Sequence, residues 1–315
     1  MLAKNSISYK VLSIAGFPLS FIIFIGIICE INILDSDLSL FVYFVILRVI
    51  AIAFCTLFEK LIPYNTEHKF EKGELKTDIT FYLSNNFLLI PVIAYFHVTV
   101  VRFFLESFGY ENGLGLSSLP VYLEAVIAFL LMEFLGYWAH RLVHVNYFLW
   151  RGHATHHSPS SIYWMNNFRN NFMSYLVAFA LVYTPMYILG VSKEFLILRF
   201  SIFMLLAPYQ HINADFRLGF LNYVFSVAPN HRFHHSQNPA EANSNFGLMT
   251  NLFDIIHGTF IRGDHFKKDS KMGLFSEIEG YKKHDFVYQE LAPWSKKLRQ
   301  KKNQKLVPIA TQRVF

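Results

Sequence analysis

The sequence predicts an all-α fold: a multispan transmembrane helical bundle with a helical cap on its cytoplasmic face, the cap carrying a two-metal histidine site. Three observations predict it. Hydrophobic residues make up 53% of the 315-residue chain and charged residues 16%, well below the quarter usual in soluble domains. The apolar residues gather into runs close to the ~20 residues that cross a bilayer as a helix. Histidines, by contrast, concentrate at three places with helical spacing.

Residues 11–34 are nearly all apolar and follow a polar start with Lys4 and Lys10. The run is too long for a signal peptide and no small-residue cleavage site follows it, so it is expected to be a retained first span. Residues 38–57 form a second span with Arg48 as its one charge, expected to face a helix partner or to snorkel. After the polar stretch 59–78, a third apolar run covers 79–101, interrupted by Asn85, Asn86 and Pro91. Glycine-rich 109–120 reads as turns. A fourth span, 119–139, runs directly into His140, with Glu124 expected on the bundle interior and Glu133 either there or behind an imidazole. Runs at 172–189 and 195–206 make a hairpin, the second arm short enough to be re-entrant or tilted. Beyond Pro208 no run is long enough to span. Cys29 and Cys55, the two cysteines, both lie in apolar stretches, so no disulfide framework is expected.

Charge sets the topology. The loop at 35–37 has no Lys or Arg, whereas the N-terminus has two and the 59–78 loop has four. The positive-inside rule therefore places the N-terminus, the 59–78 loop, the end of the fourth span and the C-terminus on the cytoplasmic side. Residues 261–315 hold 13 Lys/Arg against 6 Asp/Glu, a basic tail that suits anionic headgroups better than nucleic acid, or equally a solvated tail with no partner.

On that side the histidines converge. His140 and His144 stand four apart, and His153, His156 and His157 stand at i, i+3 and i+4. His231, His234 and His235 repeat the second spacing. Such residues share a helix face. Any one pair could be a polar helix end. Eight imidazoles in three clusters exceed the four ligands of a tetrahedral ion and suit two ions in neighbouring sites. Gly152 and Pro159 bound the second cluster as a short helix, and Pro229 suits the opening of another. Imidazole alone does not name the metal. A site just under the headgroups meets lipid chains or rings, whose C–H bonds call for a redox metal and O₂. No HExxH zinc-protease pattern is present.

The three clusters, written His140-x-x-x-His144, His153-x-x-His156-His157 and His231-x-x-His234-His235, resemble the histidine boxes of the fatty acid hydroxylase/sterol desaturase superfamily of membrane di-iron oxygenases. HATHHSPSSIYWMNNFR, YQHIN at 209–213, NFG at 245–247 and FDIIHGTF at 253–260 are similar to the motifs that accompany those boxes. The resemblance covers about residues 119–260, and the chain then divides into N-terminal spans 1–118, a catalytic domain 119–260 and the basic tail 261–315.

The resemblance implies two iron ions held by the eight box histidines, O₂ as oxidant, and hydroxylation or desaturation of a lipid (fatty acyl, sterol or related). It implies His211 as a ninth ligand, and Asn245, Gly247 and Asp254 as supports behind the ligands. Two departures stand out. Arg169-Asn170-Asn171 replaces a common R-x-H-P, which bears on the local helix start, and His257 occupies the place of an aromatic, where packing or support is expected ahead of ligation. His68, His97, His265 and His284 lie outside every box and are read as non-ligands. No haem-binding segment is visible, so electrons are expected from a separate reductase or carrier. An alkylglycerol-ether or sterol-methyl oxidase would carry the same boxes. A metal transporter or sensor would instead want ionisable residues along a path through the spans.

Overall fold

Long apolar runs become long helices because a bilayer leaves unpaired backbone groups a cost of several kcal/mol each, and a helix pairs them within one segment. The computed structural model describes residues 1–31, 38–67, 71–266, 270–276, 278 and 280–295. Five helices in it are long and apolar enough to cross a membrane: α1 (Ile7–Ile31), α2 (Leu40–Leu61), α3 (Glu74–Ser107), α4 (Val121–Val145) and, after the shorter α5 (Tyr147–His157), α6 (Phe172–Leu189). Regular structure among the described residues is otherwise helical, with a few isolated bridges. The loop at 35–37, on which the charge argument leaned, lies outside the described residues, as do 296–315 of the basic tail.

The interruption expected in the third run is not a break. Residues Asn85–Leu89 form one π turn inside a continuous α3. It turns the Asn85 side chain inward, where its Nδ2 donates to the carbonyls of Phe168 and Asn170 at 2.8 and 2.9 Å. A second π turn, Phe179–Tyr183, lies within α6. The short arm of the expected hairpin is the end-to-end helix α7 (Lys193–His211), which is not among the five candidate spans. Its last turns are buried in the main apolar core, with Met204, Leu205, Leu206 and Tyr209 against Phe17 of α1 and Tyr43, Leu47 and Cys55 of α2.

Three charges within the bundle are engaged. The Arg48 guanidinium lies over the Phe168 ring at 4.6 Å. Glu124 accepts from the Ser192 backbone at 2.6 Å, inside the bundle as expected. Glu133 supports backbone and not an imidazole: one oxygen pairs with Arg199 at 3.1 Å and the other accepts the N–H groups of Met249 and Thr250. Where that segment crosses α4, Gly136 leaves room for Leu248, whose Cδ1 would lie 2.3 Å from an added Cβ.

Past α7 the chain makes short helices: α8 (Leu221–Val224), α9 (Ala228–His234), α10 (Leu252–His257) and α11 (Phe286–Leu291). The described residues of the basic stretch fold back onto the cap. Phe275 lies against Trp150, ring centroids 4.3 Å apart, and Asn171 donates to the carbonyls of Gln289 and Glu290.

Candidate metal centre

Each histidine cluster is positioned by local sequence. α4 continues past its apolar run to Val145, so His140 and His144 sit on the last turns of a membrane-length helix. α5 starts earlier than the Gly152 boundary suggested, because Asn146 caps it by accepting from Leu149 N at 3.1 Å. Gly152 therefore lies within the helix, and its lack of a side chain lets Asn171, Met173 and Pro293 approach. Pro229 stands in the first turn of α9, as its fixed φ favours. The departure at 169–171 does not cost the next helix its start, since Asn171 caps α6 by accepting from Met173 N at 2.8 Å.

The nine histidines fall into two adjacent groups. His140, His144, His153, His157 and His234 form one, and His156, His211, His231 and His235 form the other; within each, one nitrogen per ring lies within 4.8 Å of the rest. The division follows helix geometry. At about 100° per residue, positions i and i+4 lie some 40° apart, while i+3 falls on the other flank. So His153 and His157 serve one group and His156 the other, and on α9 His231 and His235 pair while His234 crosses over. The rings of His157 and His235 stack across the divide, 4.4 Å between centroids.

Four close contacts define the interior. Nε2 of His140 and His153 are 3.2 Å apart, as are those of His157 and His234 and those of His156 and His211; His231 and His235 stand at 3.1 Å. Neighbouring corners of a tetrahedral or octahedral shell are about 3.0–3.4 Å apart for a metal–nitrogen bond of about 2.1 Å. All four contacts lie within a group and none between groups. The donor set therefore fits a metal ion at the centre of each group.

The electrostatics agree. Burial pushes the imidazoles of His153, His157, His211, His231, His234 and His235 well below their usual pKa, with neighbouring histidines adding to the effect. His156 is lowered to about 3, by burial first and then by His140. The rings are held neutral, the form that ligates. All are buried except His140, which is partly exposed.

Groups behind the rings fix their direction. His140 Nδ1 meets the Phe246 carbonyl at 2.9 Å, and His234 Nδ1 the Ser244 carbonyl at 2.8 Å. With Nδ1–H donating, Nε2 is left free to face the group. Asn245, between those carbonyls, has φ of 54° and is tied by its Nδ2 to Asn230 and Ile261. Asp254 holds the same turn, accepting from Phe246 N at 2.8 Å, Gly247 N at 2.7 Å and the Thr259 hydroxyl at 2.7 Å. Burial raises its pKa to about 7 against those three donors.

His211 Nδ1 meets Asn166 Oδ1 at 2.7 Å. Asn166 was not singled out from the sequence; the signal was its place in the WMNN run, nine residues after His157. The carbonyls of Ser244 and Phe246 had no signal, since every residue carries one.

His257 joins neither group. Its ring stacks on Tyr137, centroids 4.7 Å apart, edge-on to Trp138, and its Nδ1 meets the Phe253 carbonyl. His97 and His284 also stand outside, paired with Thr184 and Glu71. His68 and the His265 side chain lie outside the described residues.

Comparison with known proteins gives a consistent picture. A fatty acid hydroxylase family model matches residues 125–259. The chain is 30% identical over 228 residues to an ornithine lipid hydroxylase of Rhizobium tropici, a match covering 71% of this chain and 69% of that protein. It is 27% identical over 135 residues to an alkylglycerol monooxygenase of Xenopus tropicalis and 28% over 134 residues to one of Homo sapiens. Those two matches cover 43% and 42% of this chain but only 30% and 29% of the relatives. No solved structure matches the chain.

Proposed function

The chain belongs to the fatty acid hydroxylase family, and on that premise we propose that it is a membrane-bound di-iron oxidoreductase that uses O₂ to hydroxylate a lipid. The observation that carries the reading is the division of nine imidazoles, eight of them buried, into two adjacent groups with ligand spacing inside each. His140, His144, His153, His157 and His234 would hold one iron, and His156, His211, His231 and His235 the other. Iron so held supplies the redox chemistry with O₂ that an unactivated C–H bond requires.

The chain's own residues orient and enclose. The 244–247 turn, buttressed by Asp254, aims His140 and His234, and Asn166 aims His211. Phe246 and Phe275 wall the first group with apolar rings against His144. His140, the partly exposed member, marks the side on which a lipid reaches the centre. An external reductase or carrier supplies the electrons.

Hydroxylation is favoured over desaturation because the named relatives are hydroxylases and monooxygenases. Ether cleavage of the alkylglycerol type is the second reading, on the strength of the shorter matches. The catalytic unit is assigned to 119–260, framed by spans in 1–118 and by the basic stretch 261–315, with the site and C-terminus on the cytoplasmic face. One experiment tests the function. Lipid extracts from cells with and without the protein are compared under O₂, and a lipid class that gains one oxygen atom only when the protein is present is expected. Unchanged extracts beside iron-loaded protein would overturn it.

A further inference from the structure

Residues 218–225 and 248–257 carry an apolar surface that none of the five long helices explains. Phe220 is 75% exposed and Ile256 62%, and Tyr223, Val224, Leu252 and Ile255 are exposed beside them. The polar backbone beneath is paired. Asn251 Nδ2 donates to the carbonyls of Asn222 and Phe225 at 2.7 and 2.8 Å, and Asn230 Nδ2 donates to that of Asn222 at 2.7 Å. Gln210 Nε2 donates to the Leu248 carbonyl at 2.8 Å, and Glu133 accepts from Met249 and Thr250. An apolar outside over paired backbone carbonyls is what irregular backbone needs at membrane depth. A water-facing surface has no call for it.

Two neighbouring helices report the depth. Along α1, Arg217 N donates to the Ser13 carbonyl, and the Phe225 ring lies 5.2 Å from both Phe17 and Phe21. From Val11, where the apolar run begins, to Phe17 and Phe21 is about 9–15 Å at about 1.5 Å per residue. Along α4, Glu133 holds Thr250, and Phe134 meets the Phe253 ring at 5.4 Å. From Glu133 to His140, the polar end of that span, is about 10 Å. A bridge between Phe225 and Thr250 joins the two segments at one level. The two depths agree although they come from different helices.

We propose that α8 and α10, with Phe220, form a re-entrant apolar wedge seated in the acyl-chain layer of the bilayer on the side of the histidine centre. The occupant is lipid because the surface is continuous with the outward face of α4, where the exposed Phe134 and Trp138 border Phe253 and His257. The wedge rests on the reading of α1 and α4 as membrane spans.

The test uses the full chain in phosphatidylcholine liposomes, with Cys29→Ser and Cys55→Ser as background and a nitroxide on Ile256→Cys. Val126→Cys on α4 is the lipid control, and Lys72→Cys, in the polar loop, the water control. Relaxation by O₂, which concentrates in hydrocarbon, is compared with relaxation by a water-soluble nickel chelate. The Ile256 label is expected to match the Val126 label, with O₂ accessibility several-fold above nickel. Nickel accessibility like that of the Lys72 label would overturn the wedge in favour of water. Low accessibility to both reagents would overturn it in favour of a second copy or another protein. If the Val126 label is itself open to nickel, the span reading fails and takes the wedge with it. Val126 in lipid with Ile256 in water refutes the wedge alone.

Discussion

His211 and Asn166 form a pair that joins two distant parts of the cap: Nδ1 of the one meets Oδ1 of the other at 2.7 Å, with both side chains fully buried. Asn166 is pinned in turn, its Nδ2 donating to the Ser161 carbonyl and its Oδ1 also receiving Tyr163 N. Its amide can only accept from the ring, so His211 must present Nε2 to His156. Asn166→Ala is therefore expected to weaken metal binding about 10–100-fold, while Asn166→Asp, which still accepts, retains most of it. Equilibrium metal titration of the two variants checks this, and equal affinities for Asn166→Ala and the parent would refute it.

His156 and His234 belong to different groups, so His156→Ala and His234→Ala are expected each to lower bound iron from about two ions per chain toward one. Both proteins should still insert in the membrane. Elemental analysis of the purified variants reads the outcome, and full retention in both would remove the metal assignment.

His257→Phe keeps an aromatic ring on Tyr137 and gives up only a contact to the carbonyl one helical turn back. Activity within about twofold of the parent and unchanged metal are expected, since a packed ring tolerates a similar ring. Loss of metal in His257→Phe, beside a metal-replete His211→Ala, would move His257 into the ligand set.

Acid should open the centre. The folded-state pKa of His156 lies at about 3, below the ordinary imidazole value of about 6.5. Below that ordinary value the unfolded chain binds protons that the folded chain refuses, so stability falls as pH drops from about 6.5 toward the folded value. The other buried histidines add in the same direction. Thermal melting of the metal-free protein in detergent should show a lower Tm at pH 5 than at pH 8. A flat profile would contradict the burial of neutral rings.

The charge distribution predicts a topology. Reporters after Lys72 and at Phe315 are expected on the cytoplasmic side and one at Ser36 on the opposite side. Tags at Lys72 and Phe315 on different sides would break the arrangement.

Much of this was legible in the sequence because it depends on local periodicity. A run such as 119–139 has to be a helix in a bilayer, whatever surrounds it. The i, i+3, i+4 spacing at 153–157 and 231–235 fixes which rings can share a face, because helix pitch is the same everywhere. Asn85 was misleading for a physical reason: a polar residue in an apolar run reads as a break until a partner such as the Phe168 carbonyl is present to receive it.

By itself the sequence determined the long apolar helices, the helical spacing of the histidines and the resemblance to one family, all set by residues near one another in the chain. The tertiary structure decided which group each ring joins, that Asn166 and the carbonyls of Ser244 and Phe246 aim three of them, and that Glu133 supports backbone in place of an imidazole. It also decided that His257 packs on Tyr137 away from both groups. These are pairings between residues as much as 120 positions apart, as for Tyr137 and His257. A hydrogen bond or a shared ion depends on ångström-scale approach, and only the packing of helices against one another sets that distance.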